Sequence, residues 1–318
     1  MLPEVLVYPR FSRRMLEPIG QHVTLLDTQG KAPAEAFAPE VLGRVRALLT
    51  AGGQPIGTEL MDALPALQAI ICYGTGYDGI DLAACRARGI VLGHSPAANA
   101  AAVADLAMML LLAATRRLLP ADRYVRDGGW ADGSPSPMLA APPGLTGARL
   151  GVYGMGEIGR KIAARAAAFE MEVAYHSRSR HDVPFAYHAE LGSLVDWCDL
   201  LMVAVRAGPE TQHAIDAKML ARLGPQGIVV NIARGSVIDE AALAAALRDG
   251  TIAGAGLDVF AQEPTRASAF ADMPQVVLTP HIGGHTQHAQ RGMQACIVAN
   301  LKAFFAGRPL AYPVPLGG

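Results

Sequence analysis

The chain has little cysteine, no surplus of charge of either sign and no long apolar run. Its four cysteines, Cys72, Cys85, Cys198 and Cys296, show no C-x-x-C pair and no metal-like spacing. A disulfide scaffold and a structural metal are therefore not expected, and free thiols in a reducing compartment are. The 27 basic and 28 acidic residues leave a net charge of −1, which argues against a broad nucleic-acid or acidic-membrane surface. The most apolar stretch, residues 106–114, is far short of the roughly 20 residues that span a bilayer. At the start, Met1-Leu2-Pro3-Glu4-Val5-Leu6-Val7-Tyr8 carries an acid and a proline and no basic region ahead of an apolar core. It reads as a first strand, not a signal peptide. Together these absences leave a soluble, cytoplasmic protein acting on small molecules as the expectation, with no nucleic acid and no membrane among its partners.

What is present fits two α/β domains. The 318 residues are 51% hydrophobic, enough to fill two cores. Strand-like runs alternate with helical patterns: Val5-Leu6-Val7-Tyr8, Val23-Thr24-Leu25-Leu26, Ala47-Leu48-Leu49-Thr50, Ala69-Ile70-Ile71-Cys72 and Ile90-Val91-Leu92, then a second series from Leu150 to residues 276–279. Such alternation predicts doubly wound parallel sheets. Between the series, residues 101–117 form a helix apolar on almost every face, which must be covered nearly all round, at a domain junction or an interface. A Gly/Pro/Ser-rich excursion from Asp127-Gly128-Gly129-Trp130 to Gly144 is expected to reach another subunit, and these two features predict a homodimer. A last helix, residues 286–305, stops at Gly307-Arg308-Pro309, and its continuation is expected to return to the first domain.

Leu150-Gly151-Val152-Tyr153 runs directly into Gly154-Met155-Gly156-Glu157-Ile158-Gly159, and an Ala-rich helix and a second strand, Met171-Glu172-Val173-Ala174-Tyr175, follow. This is a dinucleotide-binding turn inside a complete βαβ unit. Gly154 permits the tight turn, Gly156 lets backbone approach a pyrophosphate, and Gly159 lets the helix pack on the strand. An acid at the end of the second strand would accept from the ribose 2′-hydroxyl of NAD. This chain has none. It reads His176-Ser177-Arg178-Ser179-Arg180, and guanidinium groups pair with phosphate oxygens, so NADP(H) is predicted over NAD(H).

Three later segments end strands of the second sheet: Asn231-Ile232-Ala233-Arg234-Gly235, Asp258-Val259-Phe260-Ala261-Gln262-Glu263-Pro264 and Thr279-Pro280-His281-Ile282-Gly283-Gly284. Ligands of open α/β sheets gather at such carboxyl ends. An arginine can clamp a carboxylate and polarise a carbonyl, a histidine can move a proton near neutral pH, and a glutamate beside it can orient it and favour its charged form. In the first domain, Tyr73-Gly74-Thr75-Gly76-Tyr77-Asp78-Gly79-Ile80-Asp81 follows a strand, and its small residues can present N–H groups to an anion.

These segments, with Asn231-Ile232-Ala233-Arg234-Gly235-Ser236-Val237-Ile238-Asp239-Glu240, residues 253–264 and 279–286 in order, resemble the D-isomer-specific 2-hydroxyacid dehydrogenase family over nearly the full length, and its glyoxylate, hydroxypyruvate and hydroxyphenylpyruvate reductase branch most. The resemblance implies a Rossmann cofactor domain (residues 98–286) inserted into a flavodoxin-like substrate domain (1–97 and 287–318). It implies Arg234 as ligand of the substrate carboxylate and carbonyl, His281 as general acid in reduction, Glu263 as its partner and Asp258 as acceptor for the nicotinamide carboxamide. The Thr75 and Gly76 amides are implied to hold the substrate carboxylate opposite Arg234, and His281 is implied to touch the substrate as its proton donor. Cofactor contacts are expected from Gly154, Met155, Gly156, Glu157, Ile158, Ser177, Arg178, Ser179, Arg180, Val205, Arg206, Thr211, Ile232, Ala233, Asp258, His281 and Gly283. One departure is Val205-Arg206-Ala207-Gly208-Pro209-Glu210-Thr211 in place of a Pro-Leu-Thr-like stretch, where Arg206 adds positive charge near the adenosine ribose. His94, His188, His213 and His285 are assigned to surface or structure. The reading is NADPH-dependent reduction of a small 2-oxo acid such as glyoxylate or hydroxypyruvate to the D-2-hydroxy acid. Rival readings are 2-ketogluconate or aryl-pyruvate reduction, formate oxidation, against which Glu263 argues, and a dinucleotide-sensing binding protein of the same fold.

Overall fold

The computed structural model describes residues 2–136 and 144–316. The excursion after Trp130 therefore lies, over residues 137–143, outside the described residues. The chain divides into two compact units, residues 1–99 with 284–318, and residues 100–283. Among the described residues no helix is long and apolar enough to cross a membrane.

The first unit is built on β1 (Glu4–Val7), β2 (Thr24–Asp27), β3 (Ala47–Ala51), β4 (Ala69–Tyr73) and β5 (Val91–Gly93). They pair in the order β2-β1-β3-β4-β5, all parallel, the flavodoxin-like arrangement. β3 and β4 read as nearly unbroken apolar runs because both faces are covered. Residues 284–316 complete this unit. In the helix Gln287–Phe305, Asn300 is wholly buried; it donates to His94 O at 3.1 Å and accepts from Tyr312 N at 2.8 Å. Gly93 makes room for it, since a Cβ there would stand 2.9 Å from the Asn300 side-chain nitrogen. Gln294 donates to the Arg14 and Met15 carbonyls, and Val314 N donates to Leu92 O at 2.7 Å.

The second unit holds β6 (Arg149–Tyr153), β7 (Glu172–His176), β8 (Ala186–His188), β9 (Leu200–Val203), β10 (Ile228–Asn231), β11 (Gly254–Leu257) and β12 (Val276–Leu278). Their order is β12-β11-β10-β9-β6-β7-β8, all parallel. The chain leaves β6 in one direction and returns at β9 on its other side, which is the switch point of a Rossmann sheet.

The apolar helix Ala100–Thr115 belongs to the core of this unit. It packs on the helix Glu157–Ala168 and against β10 and β11, and Gly256 lets it approach, a Cβ there falling 2.9 Å from Leu110 Cβ. Its cover is not complete: Ala101, Asp105 and Met109 form an exposed stripe.

Candidate active site

Each chemistry-bearing segment of the second unit leaves the carboxyl end of a strand of one parallel sheet. After β6, Gly154 has φ +107°, open only to glycine at low cost. A Cβ there would stand 2.6 Å from Val205 N, so the β6 turn touches the chain after β9, at the switch point. A Cβ on Gly159 would run into the Gly154 carbonyl oxygen, whereas beside Gly156 there is open space. Gly156 caps the helix Glu157–Ala168 without any side-chain cap, leaving that helix end to an anion. Met155 is 1% exposed and can offer a ligand only its backbone. Ile158 packs on the same core, and Glu157 is exposed in the first turn. This open, glycine-lined turn fits a dinucleotide pyrophosphate.

The basic loop after β7 is built from beneath. The Tyr175 hydroxyl donates to His181 O at 3.1 Å and accepts from His181 N at 2.7 Å, and Tyr187 of β8 donates to Ser177 O. Ser177 Oγ donates to Ser179 O at 2.6 Å, closing a turn from which Arg178, Ser179 and Arg180 project exposed. Neither guanidinium has an ion-pair partner among the described residues. After β9, Arg206 is exposed, and the Thr211 hydroxyl accepts from Gly208 N at 2.9 Å. Thr211 thus shapes the 206–211 turn.

Three adjacent strands supply the remaining groups. Asn231, at the end of β10, is 1% exposed; its Oδ1 accepts from Ala233 N at 3.0 Å and its Nδ2 donates to Arg234 O at 2.9 Å. That side-chain-closed turn buries Ile232 and Ala233 and leaves Arg234 half-buried. Gly235 must be glycine, because a Cβ would occupy the Phe260 carbonyl. The loop bearing Arg234 therefore lies backbone against backbone on the loop bearing Glu263. Glu240 joins them again, accepting from Ala261 N at 2.9 Å.

Glu263 Oε1 accepts from Phe260 N at 2.9 Å, and its Oε2 stands 2.6 Å from His281 Nδ1. A carboxylate only accepts, so the ring proton sits on Nδ1 and Nε2 is left for a reacting group. Burial pushes the Glu263 carboxyl up, but the His281 hydrogen bond and charge, the Phe260 amide and the Arg234 charge outweigh it and hold the group below its ordinary value. Glu263 is therefore an anion throughout the neutral range. The His281 side chain is 45% exposed, and its backbone is held at φ +53°. Asp258, 2% exposed, builds that turn: Oδ1 accepts from Thr279 Oγ1 at 2.6 Å and Ile282 N at 2.8 Å, and Oδ2 from Gly283 N at 2.9 Å. One Oδ2 lone pair remains for a carboxamide.

Sequence reasoning passed over Asn231, Glu240 and Thr279 as functional supports. Only the Asn-x-x-Arg-Gly spacing hinted at the first.

In the first unit, Gly74 has φ +109°, and Gly52 is glycine because a Cβ would meet the Gly76 carbonyl. Thr75 Oγ1 donates within its own surroundings, 2.9 Å from Asn99 Oδ1. The Thr75 and Gly76 amides donate to no group among the described residues. Two adjacent N–H groups without acceptors among the described residues, on partly buried residues, suit a carboxylate.

The family model for the D-isomer specific 2-hydroxyacid dehydrogenase NAD-binding domain matches residues 108–283, more than half of the chain. The chain belongs to that family. It is an oxidoreductase of the glyoxylate/hydroxypyruvate reductase branch. A glyoxylate/hydroxypyruvate reductase of Arabidopsis thaliana is 38% identical over 293 residues, 92% of this chain and 90% of that protein. A 2-ketogluconate reductase of Gluconobacter oxydans is 38% identical over 315 residues, 98% of each. The crystal structure of an NADPH-dependent glyoxylate/hydroxypyruvate reductase from Sinorhizobium meliloti with NADP and malonate matches this dehydrogenase with TM-score 0.91 and 36% identity, covering 99% of this chain and 98% of that one.

Proposed function

We propose that this dehydrogenase reduces small 2-oxo acids, of the size of glyoxylate or hydroxypyruvate, to D-2-hydroxy acids, with NADPH preferred over NADH. The observation that carries the reading is His281 Nδ1 at 2.6 Å from the Glu263 carboxylate, next to the Arg234 loop. Gly154, Gly156 and the amides opening the helix Glu157–Ala168 hold the pyrophosphate, with Val205, Ile232, Ala233 and Gly283 around the nucleotide, and Asp258 accepts from the carboxamide. When bound, the dinucleotide supplies the hydride for C2. Arg234 takes the substrate carboxylate and polarises the carbonyl, and the Thr75 and Gly76 amides hold the carboxylate. His281 gives its Nε2 proton to the carbonyl oxygen, and Glu263 stabilises the imidazolium before transfer. Steady-state rates with NADPH and NADH against glyoxylate, hydroxypyruvate, 2-ketogluconate and hydroxyphenylpyruvate test this. Tight NADPH binding without turnover of any of them would favour a dinucleotide-sensing role instead.

The cofactor preference rests on Arg178 and Arg180. Arg178→Ala is expected to weaken NADPH binding at least about tenfold, the low end for hydrogen bonds to charged groups, because the side chain is exposed and screened. NADH binding should hardly change. Equal losses for both would sink the assignment.

A homodimer is also proposed, through the second unit. Met109, Leu118, Leu119, Val125 and Phe169 are each more than 40% exposed, and several of them line an apolar hollow of about 610 Å³. Soluble monomers rarely leave so many large apolar groups together in water, and a patch matched to itself closes as a twofold dimer. Sedimentation should give twice the 33.3 kDa chain mass at micromolar concentration, and Leu118→Asp should release monomer. A monomeric parent rejects the dimer. The buried thiols of Cys72, Cys85 and Cys198, pushed up by burial to about 12, 11 and 12, are inert and fit a cytoplasmic setting.

A further inference from the structure

The two amides assigned to the carboxylate belong to consecutive peptide units, and a trans peptide points its N–H and its C=O in opposite directions. Whatever holds the carbonyls therefore aims the amides. The unit carrying Thr75 N–H has its carbonyl, Gly74 O, held by Ser95 N at 2.8 Å. The unit carrying Gly76 N–H has its carbonyl, Thr75 O, held by a side chain: His94 Nδ1 stands 2.9 Å away. A carbonyl only accepts, so the ring proton is on Nδ1 and donates. We propose that His94 is the positioning residue of the carboxylate site, aligning and polarising the Gly76 amide through the Thr75 carbonyl. This rests on the reading of Thr75 and Gly76 as the carboxylate's donors.

His94 is itself anchored at its backbone. Its backbone N–H donates to Tyr312 O at 3.1 Å, and its carbonyl accepts from the buried Asn300. The ring meets Tyr77 edge-on, centroids 5.6 Å apart. Thr75 is also anchored through its hydroxyl, which stands 3.1 Å from Ser95 O and 2.9 Å from Asn99 Oδ1. Hydrogen bonds strung through one peptide unit reinforce each other, by about 10–30% per bond. A donor on Thr75 O thus makes the Gly76 N–H a better donor, besides fixing its direction. From sequence alone His94 falls among the surface or structural histidines, because no motif gives it a role.

The test uses glyoxylate with saturating NADPH. His94→Ala should raise the KM for glyoxylate about tenfold, as when one hydrogen bond to a charged group is weakened, with kcat little changed and the NADPH Kd unchanged. His94→Asn puts a side-chain N–H the same number of bonds from Cβ as Nδ1 and should restore KM to near the parent's. If His94 only supported the fold, the two variants would lose activity and melting temperature together, with no split between KM and kcat and no rescue, and the inference would be overturned. Methyl glyoxylate separates this from the underlying reading. The parent should turn over the uncharged ester at a far higher KM than the acid. An ester as good as the acid removes the carboxylate site itself, whereas a poor ester with an unmoved KM in His94→Ala overturns His94's role alone.

Discussion

Turnover in both directions is expected to fall by about 10² to 10⁴-fold when His281 is replaced by alanine, the usual contribution of a positioned general acid–base. Oxidation and reduction share the loss because the same nitrogen gives the proton in one and takes it in the other. Dinucleotide binding should be weakened far less than turnover, since the glycine turn and the basic loop stand on other strands. Glu263→Gln has a different signature. The amide keeps the shape and removes the negative charge 2.6 Å from the ring Nδ1, so turnover should fall and the acid limb that belongs to the carboxyl should disappear. In the parent the Glu263 carboxyl is held below its ordinary value, so it releases its hold on the ring only as pH falls through that lowered value. A parent-like acid limb in the variant, measured where chemistry limits the rate, would show that the Glu263 charge does not act on the ring. Unchanged turnover in His281→Ala would remove the histidine from the reaction.

The second large effect lies in a residue with no functional group. Gly235→Ala drives a methyl group into the Phe260 carbonyl, backbone into which no flexible side chain can give way. Overpacking of this kind typically costs about 1–3 kcal/mol. The displaced loops are those carrying Arg234 and Glu263, so kcat/KM should collapse together with a melting temperature several degrees lower. Thermal unfolding and glyoxylate kinetics on the same preparation check this. A variant with the parent's melting temperature and rate would show that the two loops tolerate separation.

Strands were legible where burial writes itself as an apolar run. β3, β4, β9 and β10 are buried along almost their whole length, and all were visible in the chain. β8 was not, because an edge strand of three residues, Ala186-Tyr187-His188, has too few positions to show a period. The site divides in the same way. Gly154, Arg234 and His281 stood out as glycine spacing and as polar groups after strands. Asn231, Glu240, Asp258 in its turn-building part and His94 did not, since each acts on backbone groups brought near only by the sheet order. A side chain bonded to a neighbouring loop's amide leaves no local periodicity to read.

The return of residues 284–316 to the first unit also sets the order in which the protein is made. The second unit is complete once residue 283 has left the ribosome. At that moment the first unit still lacks Asn300 under Gly93, Gln294 over the Arg14 and Met15 carbonyls, and Val314 on β5. Domains fold as units during synthesis, so the half that begins the chain is the half that finishes last, and His94 gains its backbone clamp only when Tyr312 arrives. A nascent chain can hold its second unit finished while the sheet it began with is still without its last cover.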